Sequence, residues 1–208
     1  RRIEEGTFFE TGLVSITIPE EVTFVDGHAF AGCDKLKDIF VDEKNEEYTS
    51  IDGVLFNKAN SILVRCPADK PYSSYSVPSG IKTISRFAFE GCSNLSEVVL
   101  PDSLTYVGDN AFSGCDRLAV ISLPESICYL GVYSFMHCQS LKSINFPKNI
   151  TEIGYAPFFG CTQLADIYYS GNEEDWKNIK GIKNVNVPMT TTIHYNNTGS
   201  GGQGGSGE

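Results

Sequence analysis

The chain has 208 residues, room for one sizeable domain or a repeat array, and carries a net charge of -10. That charge would repel the phosphates of nucleic acid and of an anionic membrane surface, so neither is an expected partner. No apolar run approaches the roughly 20 residues that a membrane-spanning helix needs, and no membrane insertion is expected of this stretch.

Five Phe-x-x-Cys pairs punctuate the chain: Phe30/Cys33, Phe89/Cys92, Phe112/Cys115, Phe135/Cys138 and Phe158/Cys161. The last four lie 23 residues apart, and Phe30 lies 59 residues before Phe89. A short fixed period is the mark of a solenoid, an architecture that mostly binds rather than transforms.

In chain order, residues 1–18 read as a truncated repeat, because Ile3 and Phe8 match Val107 and Phe112. The chain thus opens in mid-repeat. It is expected to be a piece of something longer, with any export signal upstream; no signal peptide is visible in it.

Residues 19–41 form the first full repeat and residues 78–169 four more. Counted from each proline (Pro19, Pro78, Pro101, Pro124, Pro147), the unit is P-x-x-Φ-x-x-Φ-x-x-x-A-F-x-G-C-x-x-L-x-x-Φ-x-Φ. The stretch after each leucine (Leu36, Leu95, Leu118, Leu141, Leu164) alternates apolar and variable residues, which predicts a short half-buried strand. The following proline ends it, since proline cannot donate to a ladder. The Φ-x-x-Φ pair predicts an extended return segment, and A-F-x-G-C a single 3₁₀ or α turn. Stacked turns would bury their apolar sides in one continuous column.

Residues 42–77 interrupt the period. Asp52-Gly53 and Ala59-Asn60-Ser61 are turn signals, and Val54–Phe56 and Ile62–Val64 read as strands, so an irregular β-hairpin insert is predicted. Residues 170–196 are expected to cap the open end. Asn172 is placed to cap a short helix with acids in its first turn, Trp176 and Ile179 can share a face, and Thr191–Tyr195 reads as a last strand. Residues 1–196 are therefore read as one domain, and residues 197–208 as a flexible Gly/Ser linker or tag remnant.

These residues resemble the BspA-type leucine-rich repeat of bacteria, with its L-x-x-Φ-x-Φ-P…Φ-x-x-Φ-G-x-x-A-F-x-x-C consensus. The match covers about residues 3 to 170 and the cap. Thr11 stands in the first cysteine slot, His137 in a glycine slot, and Ser134 and Pro157 in alanine slots. The resemblance implies a β-rich, curved leucine-rich-repeat superhelix. Its parallel sheet is concave, short 3₁₀ or α turns lie on the other side, and a helix–strand cap closes it. It also implies a place on or outside the cell, in adhesion and partner recognition.

Five of the seven cysteines, Cys33, Cys92, Cys115, Cys138 and Cys161, share one repeat position. Equivalent side chains on neighbouring rungs point in parallel, so a ladder of buried free thiols is expected beside a ladder of Phe30, Phe89, Phe112, Phe135 and Phe158. Cys66 and Cys128 fall outside the ladder and are also read as unpaired. No C-x₂-C or other short metal spacing exists, so neither metal nor cofactor is expected. His28, His137 and His194 sit in unrelated contexts, and no G-x-S-x-G, P-loop or H-E-x-x-H motif occurs. Asn149-Ile150-Thr151 and Asn196-Asn197-Thr198 are formal sequons.

Outward-pointing positions on the concave strands are the candidate ligand surface: Ser15/Thr17, Asp38/Phe40, Glu97/Val99, Val120/Ser122, Ser143/Asn145 and Asp166/Tyr168. The expectation is a non-catalytic recognition or adhesion module, monomeric, that binds a protein or glycan. The alternative is a non-catalytic accessory domain attached to an enzyme in a longer chain.

Overall fold

A computed structural model describes residues 1–59 and 61–196. The expected flexible tail, and Asn60 of the second turn signal, lie outside the described residues. The N-terminal rungs contain β1 (Arg2–Ile3), β2 (Ser15–Ile18), β3 (Phe24–Val25), a 3₁₀ turn (Gly27–Phe30) and β4 (Asp38–Val41). The insert contributes β5 (Tyr48–Ile51), β6 (Val54–Asn57), β7 (Ile62–Arg65) and β8 (Ser74–Ser76). The regular array follows with β9 (Thr83–Ile84), β10 (Glu97–Val99), β11 (Tyr106–Val107), β12 (Val120–Ser122), β13 (Tyr129–Leu130), β14 (Ser143–Phe146), β15 (Glu152–Ile153) and β16 (Asp166–Tyr169). The cap holds α1 (Glu173–Asn178) and β17 (Thr192–His194).

The post-leucine segments pair in parallel as a concave sheet, divided into blocks β2–β4, β8–β10 and β12–β14–β16–β17. Equivalent residues face one another one period apart, as in Ile121 with Ile144 and Ile144 with Ile167. The return segments form a second sheet in which β15, β13, β11 and β9 run parallel. Neighbouring rungs approach so closely here that a Cβ on Gly131 would fall 2.4 Å from the Gly108 carbonyl carbon, which explains the glycine after the Φ-x-x-Φ pair.

Between the sheets run the A-F-x-G-C turns. In the array each is a string of i→i−3 bonds, such as Glu90 N to Phe87 O and Cys92 N to Phe89 O, and each donates to the next rung, as in Phe89 N to Ala111 O. Left-handed residues flank each phenylalanine of the array, from Phe89 to Phe158, two positions away. Tyr133 and His137 adopt φ of 52° and 58° around Phe135 although neither is glycine. The phenylalanines stack from Phe89 to Phe158 at centroid spacings of 4.9, 5.1 and 5.8 Å.

Thiols run alongside. Cys115, Cys138 and Cys161 donate to the carbonyls of Phe89, Phe112 and Phe135 one rung back, and Cys33 does the same to Phe8. All seven cysteines are free and all but Cys128 are buried. Cys66 stands 23 residues before Phe89, in the phenylalanine slot of its rung and not in the cysteine slot, and its carbonyl takes the Cys92 thiol at 3.7 Å as a phenylalanine carbonyl does elsewhere. Hydrogen bonding to the neighbouring cysteine, which holds the proton on the thiol, and then burial push Cys66, Cys138 and Cys161 up.

The core is not one column. It divides into a main cluster from Val54 to Ile179 and an N-terminal cluster from Ile3 to Val64. The insert is the reason. β5, β6 and β7 make an antiparallel meander whose last strand joins β9 in parallel. It stands across the solenoid as a wall that is apolar on both sides. Val54, Phe56 and Leu63 face the main cluster, whereas Tyr48, Leu55 and Val64 face the N-terminal one.

Arg65 ends that wall with only 1% exposure. Its guanidinium donates to the carbonyls of Phe30, Phe87 and Glu90 and pairs with the Glu90 carboxylate at 3.4 Å. With the backbone bond from Cys66 N to Ala88 O it joins this rung to the next, and it alone reaches back to the Phe30 carbonyl of the turn before.

The cap closes the far end. Asn172 and Asp175 form a capping box, and Trp176 and Ile179 cover the last rung.

Candidate functional site

On the concave sheet the register sets two rows of outward side chains. One runs Ser15, Asp38, then Ser74, Glu97, then Val120, Ser143, Asp166, Thr192; the other runs Thr17, Phe40, then Ser76, Val99, then Ser122, Asn145, Tyr168, His194. Every residue singled out from the sequence on this face is therefore on it. They do not form one uniform strip.

Phe40, Val99 and Val120 are about half exposed, at 50%, 49% and 50%. Towards the cap the side chains engage one another. Asn145 donates to Ser122 at 2.9 Å, His194 meets the Asp166 carboxylate at 2.7 Å, and Tyr168 stacks on His194 at 4.7 Å. Ser143, Asn145, Asp166 and Tyr168 are only partly exposed.

Between β4 and β8 the sheet is interrupted. The Asp52-Gly53 tip of the insert reaches the edge of β4, where Gly53 O accepts from Ile39 N at 2.9 Å and Ser50 Oγ donates to Ile39 O at 2.6 Å. Lys70, at 8% side-chain exposure, pairs with Asp38 at 2.7 Å directly over Gly53. A cavity of about 710 Å³ opens beside this tip, lined by Phe40, Asp52, Tyr72, Ser74 and Ser76 among others. A second cavity of about 450 Å³ adjoins it and shares Phe40, Asp52 and Gly53. Burial pushes the Tyr72 and Tyr75 phenols up, and the buried Tyr72 hydroxyl has no hydrogen-bond partner among the described residues. A third cleft, of about 540 Å³, separates β10 from β12 at Val99 and Val120.

Ser74, Ser76, Lys70, Tyr72 and the Asp52 tip escape the sequence reading because they fall inside the stretch taken as an irregular insert. A signal was present. Ser74-Tyr75-Ser76-Val77-Pro78 has the strand-then-proline grammar of a rung, with Tyr72 in the leucine slot.

The turn side also carries exposed aromatics. Tyr155 and Phe159 are 57% and 45% exposed, and Tyr133 packs edge-on to both. His137 lies on Gly160, where its ring would meet a Cβ at 2.2 Å. Among the described residues no group of three or more His, Cys, Asp or Glu is placed to hold a metal ion, and no helix is long and apolar enough to cross a membrane.

Parallel rungs of fixed period, concave strands that in most rungs run into a proline, and inward leucines together define a leucine-rich-repeat solenoid. The model of the BspA type leucine-rich repeat region matches in six copies over residues 1–69 and 66–180, and the chain belongs to that family. It is similar to a leucine-rich cell surface protein from Faecalibacterium prausnitzii A2-165, with 32% identity and a TM-score of 0.77 over 96% of this chain and 52% of that one. A leucine-rich repeat protein from Eubacterium ventriosum ATCC 27560 shares the fold at 23% identity and a TM-score of 0.67, over 90% of this chain and 60% of that one. The pneumococcal vaccine antigen PcpA does so at 22% identity and a TM-score of 0.62, over 88% and 51%. The chain thus spans about half to 60% of the length of these neighbours. No curated protein matches it.

Proposed function

We propose that the chain is a non-catalytic recognition module of a bacterial surface or secreted protein and captures a protein or glycan ligand on its concave sheet. One observation carries the reading: the outward side chains of successive rungs stand in two rows in register, and large apolar ones, Phe40, Val99 and Val120, are half exposed among acids and serines. A ligand lying across the strands would touch several rungs at once. The similarity to a protein called a leucine rich cell surface protein supports the location.

The test is capture on arrays of glycans and host proteins. Phe40→Ser, Val99→Ser and Val120→Ser combined should abolish capture of whatever the parent chain binds, with the melting temperature within a few degrees, since surface changes usually cost under about 0.5 kcal/mol each. Undiminished capture by this variant, with loss on Tyr155→Ser and Phe159→Ser instead, would move the site to the turn side.

A further inference from the structure

We infer that the gap between β4 and β8 is a docking site for an extended, basic polypeptide segment, which adds as a strand to the open edge of β8. The inference rests on the concave-face reading and narrows it to one ligand class and one place.

The open edge follows from the pairing. Among the described residues β8 pairs with β10 alone, in parallel, with Glu97 N donating to Ser73 O and Val77 N donating to Val99 O. In a parallel pair alternate residues serve alternate neighbours. The N–H and C=O groups of Ser74 and Ser76 therefore face away from β10, and no strand lies beside them among the described residues. Such an edge is a template for another chain, and proteins ordinarily cover it.

The opposite wall does not close the gap. β4 spends its facing groups at Ile39 on the insert tip, Gly53 O and Ser50 Oγ. The Asp38–Lys70 pair locks that tip in place, because its charged atoms occupy the space a Cβ on Gly53 would need. The cavity is thus preformed, and about 710 Å³ is the size of a site that takes a few residues of peptide. The Tyr72 hydroxyl, buried at its wall without a partner, supplies one more hydrogen bond to an incoming backbone carbonyl.

Charge selects the segment. Asp38, Asp42, Glu43 and Asp52 line the two adjoining cavities against Lys58 and Lys70. Both lysines are engaged, Lys70 with Asp38 and Lys58 with the Asn45 carbonyl. Asp52 lines both cavities. A Lys or Arg beside an apolar side chain, the latter against Phe40, fits this lining.

The experiment selects short random peptides displayed on phage against the full chain. Selected peptides should alternate basic and apolar residues and should protect the Ser74 and Ser76 amides from hydrogen exchange. Ser76→Pro removes the edge donor and obstructs the gap, and should weaken binding about tenfold or more, the scale of one lost hydrogen bond. Asp52→Asn keeps the turn residue's left-handed tolerance and should weaken binding several-fold, with the remaining affinity less sensitive to salt. Failure to enrich any peptide, or peptides indifferent to both substitutions with no protection at Ser74 and Ser76, overturns the inference. So does a glycan whose capture is lost in the same variants. Peptides lost only with Val99→Ser and Val120→Ser overturn strand addition but leave the concave-face reading standing.

Discussion

The regular array from residue 78 to residue 169 and the insert from residue 42 to residue 77 solve the same problem in opposite ways. In the array, rungs are joined by repeated backbone bonds and by identical side chains stacked on themselves, as with Phe112 between Phe89 and Phe135. In the insert, each join is made once. Arg65 ties the Phe30 turn to the Phe87–Glu90 turn, and Asn45 donates to Pro19 and Val22 while accepting from Glu47 and Tyr48. Tyr48 reaches back to the Val25 amide. Repetition distributes load over many equivalent contacts. A splice concentrates it in a few buried polar groups, which are costly to leave unsatisfied.

The sharpest way to break this contrast is Arg65→Ala. Three carbonyls lose a donor and Glu90 loses its partner, so a loss of about 5 kcal/mol is expected, the upper end for breaking a buried pair. The shape of the transition matters as much as its midpoint. With the splice cut, calorimetry should resolve separate melting of the N-terminal core and the array. A single transition shifted by less than about 1 kcal/mol would show that the meander's apolar faces carry the junction alone.

In the array, Phe112→Ala should cost about 4 kcal/mol by opening a cavity in the stack. It should leave the transition single, because ladder bonds persist on both sides. A loss below about 1 kcal/mol in denaturant melts would contradict the stack as the array's main support.

The smallest effect separates buried from exposed thiols. A thiol reagent should modify Cys128 in native buffer with a stability change within about 0.5 kcal/mol, while the six buried cysteines remain protected. In denaturant all seven should titrate without prior reduction. Fewer would reveal a disulfide. Rapid native labelling of Cys66 would show that the insert opens more readily than the array.

Both regions differ in how far their residues could be read. Each inward position of the array occurs several times, so the phase of Phe, Cys and Leu is overdetermined, and the outward positions Glu97, Val99, Val120 and Ser122 follow from it. Nothing repeats Arg65. A lone arginine between Val64 and Cys66 has no periodic signature, and sequence alone treats it as an exposed residue. The splitting of the core followed the same logic. Val54, Leu55 and Phe56 read as an apolar run, and only the flanking clusters reveal that alternate residues serve two different cores. On the candidate surface, Phe40 and Asp38 were legible, but the cavity beside them was not. Its other walls, Lys70, Tyr72, Ser74 and Ser76, belong to a rung hidden behind a broken period.

By itself the sequence determined the period, the parallel stacking, the inward ladders and the concave rows outside the insert and the cap. All of these depend only on side-chain direction repeating every 23 residues. The tertiary structure alone decided where the wall stands, that the concave sheet opens between β4 and β8, and that Arg65 bridges the division. Those outcomes depend on single partners far apart in the chain, such as Arg65 with Phe30 and Arg86 with Asp26, which meet only once the solenoid has closed around the insert.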